Sequence, residues 1–404
     1  MISVSERMNT ISPSLTLAIT AKAKELKAMG RDVIGFGAGE PDLDTPDSIK
    51  EAAITAIRDG QTKYTPVGGT VQLKKAIQQK FERENGFKYG LNEITASVGG
   101  KQVLFNLFLA VLNPGDQVII PAPYWVSYND IVSFCGAKPV ILETSIEEKY
   151  VPSPAKLAAL ITPKTKMIVI NSPSNPTGSY FDEAMLRQYA DILLKHPHVL
   201  IVSDDIYEHL LYDGLKFKNI LMIEPSLRDR TVVVNGVSKA YSMTGWRIGY
   251  GAGPAHIIEA METIQGQSTS NPTSIAQAAA AAALSGDQSF IGDFKRIFQG
   301  RRDLMFRVLE NIDGVKVFLP SGAFYIFPDI SAIYNKPKFK QLIPPGETSM
   351  SMAFSNLLIE KHNVAVVPGI AFGDDRCVRL SYALGEEAIR SGVERIGTFI
   401  RELD

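Results

Sequence analysis

Apolar residues recur along the chain in two rhythms. Short β-branched runs bounded by turn residues predict buried strands at 94–98, 117–120, 166–171, 199–203 and 231–234. Helical spacing predicts a helix at 16–29, closed by Gly30, and another at 103–112, stopped by Asn113-Pro114-Gly115. The stretch 290–312 is apolar at 290, 294, 297, 298, 304, 305, 308 and 312, the pattern of one long helix crossing between two parts of the molecule. The alanine run 278–283 reads as a tightly packed helix, residues 1–15 as an extended arm, and 333–348 as a polar, proline-rich loop. Beyond the long helix, short strands are expected at 315–319, 323–327, 364–367 and 377–381.

Strands alternating with helices in the middle of the chain imply an α/β fold with a mostly parallel sheet between helical layers. Its motif-bearing loops follow strand ends, so they converge on the sheet's carboxyl edge. The two chain ends are left to build a smaller α/β domain. The expected division is 1–48 as arm and part of the small domain, 49–300 as the large domain, and 301–404 as the rest of the small one.

Composition narrows the function classes. The chain has 404 residues, more than one simple core holds, which favours two domains. A net charge of −1 with no run of like charges gives no field for nucleic acid or for an anionic membrane. No apolar stretch approaches the length of a membrane span, and the first residues lack the apolar segment of a secretory signal. The two cysteines, Cys135 and Cys377, sit among apolar residues, form no CxxC, and read as reduced thiols in a cytoplasmic protein.

The candidate chemistry centres on the segment after the strand at 231–234. Lys239 follows the turn Asn235-Gly236, and Arg247 lies eight residues on, inside Gly245-Trp246-Arg247-Ile248-Gly249. On a sheet rim such a lysine is either a solvated cation or, when desolvated beside other cations, a nucleophilic amine. Arginine's fork suits a phosphate. Gly99-Gly100-Lys101-Gln102 opens an apolar helix, and free amides at a helix start also bind phosphate. Arg379 lies inside an apolar strand, a costly place for a cation without a partner. Gly35, Gly37 and Gly39 alternate ahead of Glu40-Pro41-Asp42, but no dinucleotide fingerprint is present. A cis bond before Pro176 is expected, since cis peptides are almost confined to proline.

Gly236-Val237-Ser238-Lys239 with Arg247-Ile248-Gly249 resembles the lysine signature of class I pyridoxal-phosphate aminotransferases. Further pieces follow in the family's order, Asn175-Pro176-Thr177-Gly178 and the three-residue interval between Asp204 and Tyr207 among them. The resemblance runs over nearly the whole chain. Its closest subgroup is that of the aspartate aminotransferases with Gly99-Gly100-Lys101-Gln102 and Pro123-Tyr124-Trp125-Val126-Ser127-Tyr128. It implies the type I fold of pyridoxal-phosphate-dependent transferases, the cofactor pyridoxal 5′-phosphate, a homodimer, and amino acid and 2-oxo acid substrates. Lys239 would be the Schiff-base lysine and proton shuttle. Asp204 would pair with the pyridine nitrogen, although Asp205 stays open as the alternative. Tyr207 and Asn175 would bind the 3′-oxygen, Trp125 would stack on the ring, and Arg247, Ser238, Gly100, Lys101 and a neighbour's Tyr64 would hold the phosphate. Arg379, the Gly39 amide and Asn175 would take the substrate α-carboxylate.

A second substrate carboxylate needs its own donors once desolvated. One branch of the family uses an arginine from the neighbouring subunit, but residues 265–277 contain no arginine or lysine. Lys101 is the candidate here, with Ser14 and Thr16 as added donors. The resemblance to the aspartate aminotransferase subgroup implies aspartate with 2-oxoglutarate as the expected pair. Alanine, aromatic and prephenate transamination, or a C–S lyase on the same scaffold, are the alternatives. Some members carry a lysine where this chain has Ser12, which argues against prephenate. A regulator would need an appended DNA-binding module, and no spare basic segment is present.

Overall fold

The computed structural model describes residues 2–404. Its central sheet has seven strands, in spatial order Ile94–Ser97, Gly249–Ala252, Thr231–Gly236, Leu200–Asp204, Thr165–Asn171, Gln117–Pro121 and Lys138–Leu142. Only Gly249–Ala252 runs against its neighbours. The alternation of strand side chains explains the layering. Ile168, Ile170, Ile201 and Val233 enter one core, while Met167, Val169, Val202, Val232 and Val234 enter another on the opposite face. Helices Gly100–Val111 and Ala255–Gly266 cover that second face through Val103, Leu107, Phe108, Ile258 and Met261.

A further core gathers Ser289–Leu309, Met350–His362 and Glu386–Glu402 around the three-stranded sheet Val367–Pro368, Val378–Ser381 and Tyr325–Ile326. Ile34–Gly35 from the chain's start pairs in parallel with Val364–Ala365 near its end. The long helix behaves as its periodicity implies: Ile291 joins the large sheet's core, whereas Phe298, Leu304, Met305 and Leu309 join this one.

Several expectations need correction. The stretch 333–348 is not a plain loop. Pro337 opens the helix Pro337–Leu342, because its fixed φ suits a first helical turn, and Phe339 is buried and stacked on Tyr334. The stretch 315–319 forms no strand, only a bridge between Lys316 and Asp329. The run 364–367 divides between two sheets, since Val367–Pro368 pairs with Val378–Ser381 instead. The arm carries a short 3-10 helix, Glu6–Thr10, with no buried residue. The strands Lys138–Leu142 and Gly249–Ala252 were not expected, the second because its glycines hide a strand pattern.

Candidate active site

At the carboxyl edge of the large sheet, where the core around the three-stranded sheet meets it, lies a cavity of about 470 Å³. It is lined by every site residue that the sequence suggests except Tyr64: Thr16, Gly39, Gly100, Lys101, Trp125, Asn175, Asp204, Tyr207, Ser238, Lys239, Arg247 and Arg379. Tyr64 is 93% exposed on the surface outside that lining.

Strand ends position the first groups. Leu200–Asp204 delivers the Asp204 carboxylate, which accepts a hydrogen bond of 2.5 Å from Tyr128 Oη and one of 3.3 Å from the Ile206 amide. Burial raises the Asp204 carboxyl to about 6, against the opposing pull of these two bonds and of Lys239. The neighbouring strand ends in Asn171, whose amide donates to the Asp204 carbonyl at 3.0 Å and whose Oδ1 accepts from the Asn175 amide at 3.0 Å. That side chain therefore ties two site loops together. The Asn175-Pro176 bond is cis, as are Ala122-Pro123 and Ser172-Pro173. Asp205 turns the other way, to Ser203 Oγ at 2.6 Å and Asn219 Nδ2 at 2.7 Å.

Lys239 follows the strand Thr231–Gly236 and is half-buried in the cavity wall. Its ammonium donates to the Gly39 carbonyl at 2.6 Å and lies about 6 Å from the rings of Tyr207 and Phe324. Burial, then Arg379 and Arg247, bring its pKa down to about 8. That leaves a share of free amine near neutral pH, as a nucleophile requires. Lys101 stands over the Trp125 ring at 5.2 Å, and desolvation followed by Arg247 lowers its pKa too.

Arg379 is 2% exposed and held between walls. Nη1 donates to Asn175 Oδ1 at 3.0 Å, Nη2 to the Gly37 carbonyl at 2.9 Å, and the guanidinium lies 4.5 Å over the Tyr325 ring. Its Nε is buried without a hydrogen-bond partner. Arg247 donates to the carbonyls of Thr244 and Val98 at 2.7 and 3.3 Å. These cations are thus held by amide, carbonyl and ring. Including Lys24, five cations line the cavity against two carboxylates, Glu40 and Asp204. Such a surplus favours an anionic guest.

The anion seat depends on two glycines. Gly99 has φ +89°, and a Cβ on it would run into the Arg247 guanidinium. A Cβ on Gly249 would strike the backbone of Gly99 and Gly100. Without those side chains Arg247 lies against the start of helix Gly100–Val111, so guanidinium and helix-start amides face one space. A buried amine, an anion seat, a buried carboxylate and the flat face of Trp125 together suit a phosphorylated aromatic aldehyde. Arg379 lines the same cavity, and a guanidinium suits a carboxylate.

Sequence reasoning missed Tyr128, Asn171 and Tyr325, all lining the cavity. Tyr128 and Asn171 stand next to quoted motifs and were open to suspicion. Tyr325 sits in an apolar run that reads as core, and nothing local marks it.

Residues 31–396 match the family model described as aminotransferase class I and II. The chain is 53% identical over 397 residues to the aspartate/prephenate aminotransferase of Nitrosomonas europaea, covering 98% of this chain and 99% of that one. It is 48% identical to an aspartate aminotransferase of Rhizobium meliloti, covering 96% and 94% of the two chains. Among solved structures, the aspartate aminotransferase from Rhizobium meliloti superposes with a TM-score of 0.92 at 46% identity, over 99% of each chain. That from Thermus thermophilus with maleate gives 0.90 at 43% identity, over 98% of this chain and 100% of that one. The residues that meet in the cavity are those of the lysine signature and its companions, and with these likenesses the chain belongs to the class I and II aminotransferases.

Proposed function

We propose that this aminotransferase takes pyridoxal 5′-phosphate as its cofactor and moves the amino group of aspartate to 2-oxoglutarate, giving oxaloacetate and glutamate. The observation that carries the reading is Lys239, a half-buried amine in the cavity wall brought to about 8 by burial and two guanidiniums. Ser238, Arg247 and the amides of Gly100 and Lys101 would take the phosphate, Trp125 the ring face, Tyr207 and Asn175 the phenolic oxygen, and Asp204 the ring nitrogen. When bound, pyridoxal phosphate supplies an electron sink for the charge left as the substrate's Cα loses its proton.

Every other task falls to the chain itself. The Lys239 amine takes and returns the Cα proton. Asp204, fixed by Tyr128, would keep a proton on the cofactor's ring nitrogen. Arg379 receives the α-carboxylate with the Gly39 amide and Asn175, and its stacking on Tyr325 sets the plane of the fork. Lys101, with Thr16, meets the second carboxylate. The Thermus relative's structure with maleate, itself a dicarboxylate, supports that choice.

The same reading makes the molecule a homodimer, in which Tyr64 from a second copy completes the phosphate seat. Its 93% exposure in the single chain supports this. Residues 49–300 form the cofactor-binding domain, 1–48 the arm and part of the smaller domain, and 301–404 the rest of it. Among the described residues no helix is long and apolar enough to cross a membrane. The free thiols Cys135 and Cys377 support a cytoplasmic setting.

The test is direct. Loaded protein given aspartate and 2-oxoglutarate should yield oxaloacetate and glutamate; no glutamate from that pair, with pyruvate, ammonia and a thiol from an S-substituted cysteine such as cystathionine, would point to a lyase instead. The name of the Nitrosomonas relative favours a second acceptor, prephenate. Replacing 2-oxoglutarate by prephenate in the same assay decides it, with Ser12 the residue that argues against it.

A further inference from the structure

Tyr325 is fully buried, lies on the strand Tyr325–Ile326, and touches two working groups at once. Its hydroxyl is 2.9 Å from Tyr207 Oη, and its ring lies 4.5 Å beneath the Arg379 guanidinium. Register explains the second contact: Tyr325 pairs with Ser381, on the strand that also carries Arg379. Two hydroxyls facing each other share one proton between their oxygens and have one left to give elsewhere. Both tyrosines line the cavity, but Tyr207 is the one whose ring lies about 6 Å from the Lys239 ammonium, so an acceptor beside that amine takes the Tyr207 proton and leaves Tyr325 as the donor to Tyr207 Oη. A hydroxyl that accepts a hydrogen bond becomes a stronger donor itself.

We infer that Tyr325 is a positioning residue that donates to Tyr207, so that Tyr207 gives its own proton to the cofactor's phenolic oxygen. The inference rests on the cofactor reading above. A stronger donation to that oxygen makes it less basic. The proton shared between it and the Lys239 nitrogen then leaves at lower pH. Losing Tyr325's hydroxyl moves the midpoint of that titration upward.

Tyr325→Phe keeps the ring under Arg379 and removes only the hydroxyl. The readout is the pH midpoint of the visible absorbance of protein loaded with pyridoxal phosphate, with no substrate present. The expected result is a rise of about 0.3 unit, a twofold change in protonation ratio. In a Tyr207→Phe background, Tyr325→Phe should add nothing, because its route of action is gone. An unchanged midpoint in the Tyr325→Phe protein, or an equal shift in both backgrounds, overturns the role of Tyr325 and leaves the cofactor reading standing. Failure of the unsubstituted protein to give a visible absorbance with pyridoxal phosphate overturns both.

Discussion

Five consecutive residues, Asp204 to Glu208, serve two buried charge clusters of opposite character. On the cavity side stand Asp204 and Tyr207 with Lys239 and Arg379, whose cations meet carbonyls, amides and rings. Behind them, Lys80, with no exposed side-chain surface, pairs with Glu208, and Glu208 also accepts from Asn235 at 2.7 Å and from Asn85 at 3.2 Å. Lys80 reaches Asn85 Oδ1 at 2.8 Å, and His209 reaches Glu84 at 2.8 Å. Glu84, Glu208 and His209 lie close enough to suggest a metal site, but the Lys80 ammonium is already bound to Glu208 there. Buried charge alone is therefore a poor sign of function. The rear cluster is satisfied internally, while the cavity cluster keeps donors that only a guest can satisfy.

This contrast can be broken by substitution. The largest effect belongs to Lys239→Ala, which should lower turnover by at least ~10³-fold with the fold intact, checked by steady-state rates and circular dichroism. Asp204→Ala should likewise cost most of the activity. Asp205→Ala, whose carboxylate faces Ser203 and Asn219, should instead cost stability, and the reverse pattern would mean that the wrong carboxylate has been assigned.

In the rear cluster, Glu208→Gln breaks the buried ion pair with Lys80 and leaves that ammonium, among carboxylates, only the longer 3.6 Å contact with Glu84. A loss of about 3–5 kcal/mol is expected on breaking such a buried pair, read from denaturant unfolding, with turnover per folded molecule little changed. Turnover lost without stability would erase the distinction drawn here.

A smaller effect tests the cavity mouth. Lys101→Ala should raise KM for aspartate about ten- to a hundredfold, the worth of a charge-assisted hydrogen bond, and barely move KM for alanine. Equal changes for both would restrict Lys101 to the cofactor.

The smallest effect is an acid one. Burial opposes ionisation of Glu84, yet His209, Lys80 and Arg83 outweigh it and bring the carboxyl down to about 2 from an ordinary 4.5. Its folded pKa is depressed, so its stabilisation is complete above about 4.5 and fades as pH falls towards 2. Glu84→Gln should therefore be less stable than the parent at neutral pH, with the gap closing over that window in thermal melts.

Local rules made much of this legible. β-Branched runs have one good home, a sheet buried on both faces, and they marked five of the large sheet's seven strands. The resemblance carried by the Lys239 and Arg247 segment implied chemistry without a fold, and the cost of Arg379 in an apolar strand marked it as needing a partner. Tertiary structure decided what depends on partners far along the chain. Arg379 meets Asn175 across 204 positions, Tyr207 meets Tyr325 across 118, and Tyr128 meets Asp204 across 76. No local pattern encodes such meetings, because a side chain's neighbours are set by how strands stack and helices cross. The same limit hid the helix Pro337–Leu342, whose stability comes from burying Phe339 rather than from its own propensity. Composition declared charges that must be buried; packing alone settled which were paired within the chain and which were left for a ligand.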